Sequence, residues 1–146
     1  MTLQARIAGF DPAVPDAEIV AVLNAPDPAL PQRRVDIATA DVRELLLARG
    51  DWAKVVLAAE GAEPAQIRAA AILLRDTIQD TSLIRATQPE IYNAAAGLLQ
   101  NMVLAGVLTM ATRDAIIALA DRPQSWAEAN GVEVTARSVA LARGAN

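Results

Sequence analysis

Apolar residues recur along most of this chain at intervals of three and four positions, a spacing that places side chains on one face of an α-helix. Two stripes in the centre of the chain follow this spacing: Ile67, Ala71, Leu74, Ile78, and then Ile91, Ala95, Leu98, Met102. The strict alternation of a half-buried strand is nearly absent. The pattern therefore predicts an all-α fold, a compact bundle of helices.

Residues that begin and end helices delimit these stripes. Single glycines stand where helices are expected to end: Gly50, Gly61, Gly106, Gly131, Gly144. Hydroxyl or carboxylate side chains stand where helices are expected to begin: Thr39 or Asp41, Asp51, Thr87, Thr109, Ser125, Thr135. Glu90 and Glu128 complete capping boxes with Thr87 and Ser125. These boundaries predict about seven or eight short helices.

The N-terminal part of the chain is rich in proline, which resists helix formation. Five of the eight prolines fall there: Pro12, Pro15, Pro26, Pro28, Pro31. We therefore predict a proline-rich extended arm at 1–34, with one short helix at 16–23, followed by a helical domain at 35–146. The arm is expected either to lie on its own domain or to contact a neighbouring subunit.

The composition argues against most enzyme classes. The chain has no histidine and no cysteine, and Lys54 is its only lysine. The commonest general base, metal ligand and thiol nucleophile are therefore missing. Asp76 and Asp80 lie four positions apart, and we interpret them as a solvated helix end. The expectation is a protein with no catalytic residue, no metal and no cofactor.

Two further segments bear on location. The uncharged stretch 91–112 is long enough to span a bilayer, but it contains Asn93, Gln100 and Asn101 and is divided by Gly106. We therefore predict buried helices there and no membrane span. The first ten residues include Arg6 and lack the apolar run of a secretory signal peptide. Secretion through a signal peptide is therefore not expected.

A net charge of -4 gives no electrostatic reason to expect nucleic acid as a partner. One alternative remains open near the C-terminus. Ala127, Gly131 and Val132 match the turn of a helix-turn-helix, and the following helix carries Arg137 and Arg143. A small DNA-binding regulator is therefore retained as the first alternative function.

Large apolar side chains are few, so they are candidates for contacts with partner proteins. Those chosen are Phe10, Leu23, Leu30, Trp52, Trp126. The competing interpretation is that each tryptophan fills space between alanine-rich helices of its own chain.

The residues 106–109, 114–119 and 125–131, read as G-V-L-T, D-A-I-I-A-L and S-W-A-E-A-N-G, resemble a segment of small helical proteins of tailed bacteriophages and prophages. The segment 44–52 fits the same pattern. The resemblance implies a virion structural or assembly protein, with a tail or tail-associated position favoured. Its implied partners are copies of itself and other virion proteins, and its implied location is the virion or the host cytoplasm. A host-directed anti-defence binding protein is the second alternative.

Overall fold

A computed structural model describes residues 1–61 and 64–144 of the chain. The described residues form nine helices: α1 Leu3–Ile7, α2 Asp16–Asn24, α3 Thr39–Ala48, α4 Trp52–Gly61, α5 Ala65–Asp80, α6 Pro89–Leu104, α7 Met110–Ala118, α8 Trp126–Ala129 and α9 Ala136–Ala142. Four two-residue strands accompany them: β1 Arg33–Arg34, β2 Ile37–Ala38, β3 Leu83–Ile84 and β4 Asp121–Arg122. The prediction of a mainly helical fold is confirmed.

Most of the predicted helix ends are confirmed. Four glycines that follow helices have positive φ angles: Gly50, Gly106, Gly131 and Gly144. Residues with a Cβ rarely adopt such angles. The hydroxyls of Thr109, Ser125 and Thr135 accept hydrogen bonds from backbone N–H groups in the first turns of α7, α8 and α9. The capping box of Ser125 and Glu128 is complete. Local sequence therefore determines these boundaries.

Two predicted caps act differently. Thr39 is the first residue of α3, and its hydroxyl donates to the Thr81 carbonyl oxygen at 2.6 Å. Thr87 precedes the N-cap of α6, which is Gln88, and its hydroxyl donates to Asp36 Oδ1 at 2.7 Å. Both side chains bind partners far away in sequence, so each hydroxyl serves a tertiary contact in place of a helix end.

The chain divides into two compact units. Unit 2 is Arg34–Arg122 and contains α3 to α7 with the antiparallel pair β2–β3, in which Ile37 lies opposite Ile84. Three residues of the predicted α5 stripe, Ala71, Leu74 and Ile78, are buried, and Ile67 is half-buried against the same core. They join an apolar core with side chains of the other helices: Val42, Leu46, Val55, Leu99, Met102, Ile116.

Unit 1 combines residues 1–33 with 123–144. Its core brings Ile7, Ile19 and Leu23 of the N-terminal segment together with Trp126 and Val139 of the C-terminal helices. The structure therefore groups residues 123–144 with 1–33, whereas the sequence placed them in a domain at 35–146. The physical reason is that neither segment buries its apolar side chains alone.

The segment predicted as an extended arm contains two helices. The unpredicted one, α1, begins where the Thr2 hydroxyl accepts a hydrogen bond from the Ala5 N–H. The proline-rich stretch that follows α2 is attached within unit 1, since Asp27 N–H donates to the Gln124 carbonyl at 2.9 Å and Gln124 Nε2 donates to the Pro31 carbonyl at 2.8 Å. The prolines restrict the local backbone without preventing this packing.

The Asp36–Thr87 contact of unit 2 predicts an acid-sensitive contribution to stability. The Thr87 hydroxyl, and then the Thr87 N–H, lower the pKa of Asp36 from its ordinary value of 3.8. A lowered folded-state pKa stabilises the folded state above the ordinary value, and this stabilisation is lost as the pH falls through the lowered value. We expect Asp36→Asn to be less stable than wild type at neutral pH, with the two converging in acid.

The measurement is urea unfolding of both proteins between about pH 6 and about pH 2. Asp80→Asn, at the exposed end of α5, controls for the loss of one negative charge. A stability difference between wild type and Asp36→Asn that stays constant over this range would contradict the assignment.

Candidate functional site

Unit 2 contains a cavity of about 250 Å³ that is open to the surface. Its walls come from α5 and α6, with contributions from α3, α7 and the β2–β3 pair. The lining is almost entirely aliphatic, with the following side chains at its centre and rim: Val42, Leu73, Leu74, Ile91, Ala95, Leu98, Leu99, Ile116, Ile117. No charged residue lines it among the residues that the structure describes. This cavity is the candidate functional site.

The small side chains of α6 explain why space remains here. Ala94, Ala95 and Ala96 occupy three successive positions of the helix and all line the cavity. Leu73 and Leu74 of α5 line it as well. Alanine side chains end at Cβ, so they cannot fill the gap that leucines at the same positions would occupy. The alanine run therefore creates the cavity.

The mouth of the cavity is apolar. Leu73 is 58% exposed and Ile91 is 37% exposed, although both are large aliphatic residues. Two polar side chains, Thr77 and Tyr92, also belong to the lining. The guanidinium of Arg34 lies 3.6 Å from the centroid of the Tyr92 ring, and Arg34 Nε donates to Asp121 Oδ1 at 2.8 Å. The aromatic wall is thus held by a cation–π contact and an ion pair.

A buried polar network lies elsewhere in unit 2. The Thr112 hydroxyl donates to the carboxylate of Asp51, whose side chain is almost completely buried. Thr109 donates to Thr112, and Lys54 Nζ lies 3.4 Å from Asp51 Oδ1. Asp51 immediately precedes α4, where the helix dipole favours a negative charge. These contacts explain a structural role for Asp51 and Lys54.

The five predicted contact residues fall in both units. Leu23 and Trp126 are buried in the core of unit 1, and Phe10 and Leu30 are half-buried against it. Trp52 is half-buried against the core of unit 2. In the folded chain Leu23 is fully buried and Trp126 is 7% exposed, while the other three retain larger exposed parts.

The candidate helix-turn-helix is only partly realised. The described residues do form a helix, a turn with Gly131 at positive φ, and a second helix, but α8 has only four residues. Arg143 Nη1 donates to Asp16 Oδ1 at 2.7 Å, so one of the two arginines pairs within unit 1. Arg137 is exposed.

Asp76 and Asp80 of α5 lie in different surroundings. Asp76 accepts a hydrogen bond from Arg75 Nε at 3.0 Å, whereas Asp80 is exposed at the helix end. Over residues 1–61 and 64–144, no three acidic side chains are grouped so that they would hold a metal ion.

The uncharged stretch 91–112 is divided as predicted, because α6 ends at Leu104 and α7 begins at Met110. It is less buried than predicted, since Leu104 is 77% exposed and Met110 is 49% exposed. Within the described part of the chain, no helix combines the length and the apolar character needed to cross a membrane.

The comparisons with known proteins identify no relative. No family model, no curated protein and no solved structure matches the chain. The sequence and the surface of the folded chain are therefore the basis for the functional proposal.

Proposed function

We propose that this chain is a non-enzymatic structural or assembly protein of a phage particle, tail or tail-associated, that acts by protein–protein contact in several copies. The observation that carries the proposal is the exposure of large aliphatic side chains on unit 2. Leu104 is 77% exposed and Leu57 is 68% exposed, although other leucines of the unit are buried. Burying such side chains against a partner contributes about 25 cal/mol per Å² of apolar area.

The chemistry of the chain supports a role without catalysis. The sequence contains no histidine or cysteine. The buried carboxylate of Asp51 accepts a hydrogen bond from Thr112, and the carboxylate of Asp36 accepts two from Thr87. Both acidic groups are thus engaged in contacts that stabilise the fold, which leaves binding as the better supported activity.

The assignment to a phage particle is supported by the resemblance of residues 106–131 to helical proteins of tailed phages. A protein of this kind is present in many copies, so each copy needs apolar surface beyond its own core. The exposed leucines provide such surface.

The test measures association in solution. Because Ile7, Ile19 and Leu23 belong to the core of unit 1, deleting residues 1–34 would disrupt that unit, and point substitutions on unit 2 are the sharper probe. We expect light scattering over a dilution series to show an oligomer that dissociates in the double variant Leu57→Gln/Leu104→Gln. The matched control, Ala53→Gln/Ala118→Gln, changes exposed alanines of α4 and α7 and should keep the oligomer.

Particle composition provides the second measurement. Mass spectrometry of density-gradient-purified phage particles, from cells that carry the gene, should detect the protein. A chain that is monomeric at every concentration and absent from particles contradicts the proposal. Salt-sensitive DNA binding that is lost in Arg137→Ala would instead select the regulator, and capture of a host enzyme would select the host-directed binder.

A further inference from the structure

We infer that the cavity of unit 2 is a binding site for a small uncharged apolar molecule, larger than benzene and of the size of butylbenzene or a medium-length alkyl chain. The inference concerns a different surface from the exposed Leu57 and Leu104 and does not depend on the proposed function. Three properties of the cavity carry it: its volume, the chemistry of its lining and the exposure of its mouth.

The volume sets the size of the ligand. The cavity measures about 250 Å³, whereas an apolar cavity of about 150 Å³ is sufficient to bind benzene in a protein interior. A ligand that uses the additional space carries a short alkyl substituent or is an extended chain. Binding sites for larger drug-sized molecules begin at about 300 Å³, so a molecule of that size does not fit wholly inside this cavity.

The lining selects against charge. Among the described residues, the only polar side chains in the walls are those of Thr77 and Tyr92. A charged group transferred into such a site would lose its hydration without gaining an ionic partner. Water is also a poor occupant, because each buried water molecule needs two to four polar partners. An uncharged apolar ligand makes favourable dispersion contacts with the aliphatic side chains that form most of the walls.

Exposed aliphatic side chains at the mouth of the cavity would favour binding. Leu73 and Ile91 are exposed at the rim, so a ligand in the cavity covers aliphatic surface that water now contacts. The Tyr92 wall is held in place by Arg34, which in turn pairs with Asp121. Part of the site is thus preorganised, which lowers the entropic cost of binding.

The test is a titration of the full chain with butylbenzene, followed by the methyl resonances of its leucine, isoleucine and valine residues. We expect saturable shifts at cavity methyls such as Leu73, Leu98 and Ile117, little change at Leu57, and an increase in Tm with ligand concentration. Benzoate, which carries a charge on the same ring, should give no saturable shift.

Substitutions that fill the cavity are compared with a control substitution at an exposed position. Ala95→Leu occupies the cavity from α6 and should weaken butylbenzene binding at least tenfold, while Ala69→Leu, at an exposed position of α5, should leave it unchanged. Ala94→Leu, at the exposed rim, serves as a second filling variant that demands less repacking of the core.

Three results would overturn the inference. The first is the absence of saturable shifts at the cavity methyls of wild type. The second is equal binding by wild type and a folded filling variant. The third is tighter binding of N-acetyl-phenylalanine amide than of butylbenzene, which would assign the cavity to an apolar side chain of a partner protein in place of a free small molecule.

Discussion

Leu23→Ala is expected to lower the free energy of unfolding by about 2–5 kcal/mol, the range for leucine truncations that leave a cavity in a packed core. Leu23 is completely buried in α2 and belongs to a cluster with Ile19, Trp126 and Val139. The other members of the cluster come from both ends of the chain, so the cavity would lie at the centre of unit 1. Urea unfolding followed by tryptophan fluorescence measures the loss, since Trp126 is in the cluster.

Val22→Ala is the matched control, because Val22 is the adjacent residue of α2 and is 48% exposed. It should change stability by less than about 0.5 kcal/mol. The comparison also separates a core role of Leu23 from the predicted contact role. A loss that appears only at protein concentrations where the chain associates, or one no larger than that of Val22→Ala, would contradict the core assignment.

Asp51→Ala is expected to destabilise unit 2 by about 2–4 kcal/mol. The substitution removes the acceptor of the Thr112 hydroxyl and a negative charge at the N-terminal end of α4. Hydrogen bonds to charged groups contribute more than neutral ones, and a buried group left without its partner adds a desolvation penalty. Thermal and urea unfolding of the variant measure the effect.

A double-mutant cycle with Thr112→Val tests the cause of this loss. Thr112→Val alone should cost about 1–3 kcal/mol, because the buried carboxylate loses its donor. Thr112→Ser keeps the hydroxyl and should restore most of the stability. If the network described above is correct, the two substitutions couple by about 0.5–3 kcal/mol. Simple additivity of Asp51→Ala and Thr112→Val would show that the hydrogen bond contributes little.

The helices of this protein were predictable because their determinants are local. Gly131 ends α8 and Ser125 begins it through contacts within three or four residues. Such interactions depend only on neighbouring residues, so the sequence displays them directly. The buried stripe of α5 follows from the same local periodicity.

The misassigned caps show where local information ends. Thr87 and Glu90 have the spacing of a capping box, yet the Thr87 hydroxyl donates to Asp36, which is 51 positions away. As an N-cap, Thr87 would accept a backbone N–H through its hydroxyl oxygen. Instead Gln88 is the N-cap of α6, and the hydroxyl and N–H of Thr87 both donate to the Asp36 carboxylate. Rules about helix ends use only neighbouring residues, so they do not include a carboxylate that is distant in sequence.

The candidate site was missed for a related reason. The apolar spacing places Ala95 on the stripe of α6 but gives no sign of a cavity beside it. Whether alanines pack tightly or leave a cavity depends on how closely the opposite helix approaches. Here Leu73 and Leu74 of α5 face a gap of about 250 Å³, and only the packed chain reveals it.

Sequence alone determined the helical class, most helix boundaries and the absence of histidine and cysteine chemistry, because propensity, capping and composition are properties of short segments. Tertiary structure decided that residues 1–33 join 123–144, that Asp51 is buried beside Thr112, and that α5 and α6 border an open cavity. These features are contacts between distant segments. They depend on which apolar faces find a complementary surface, and that choice is made by the free energy of the whole packed chain.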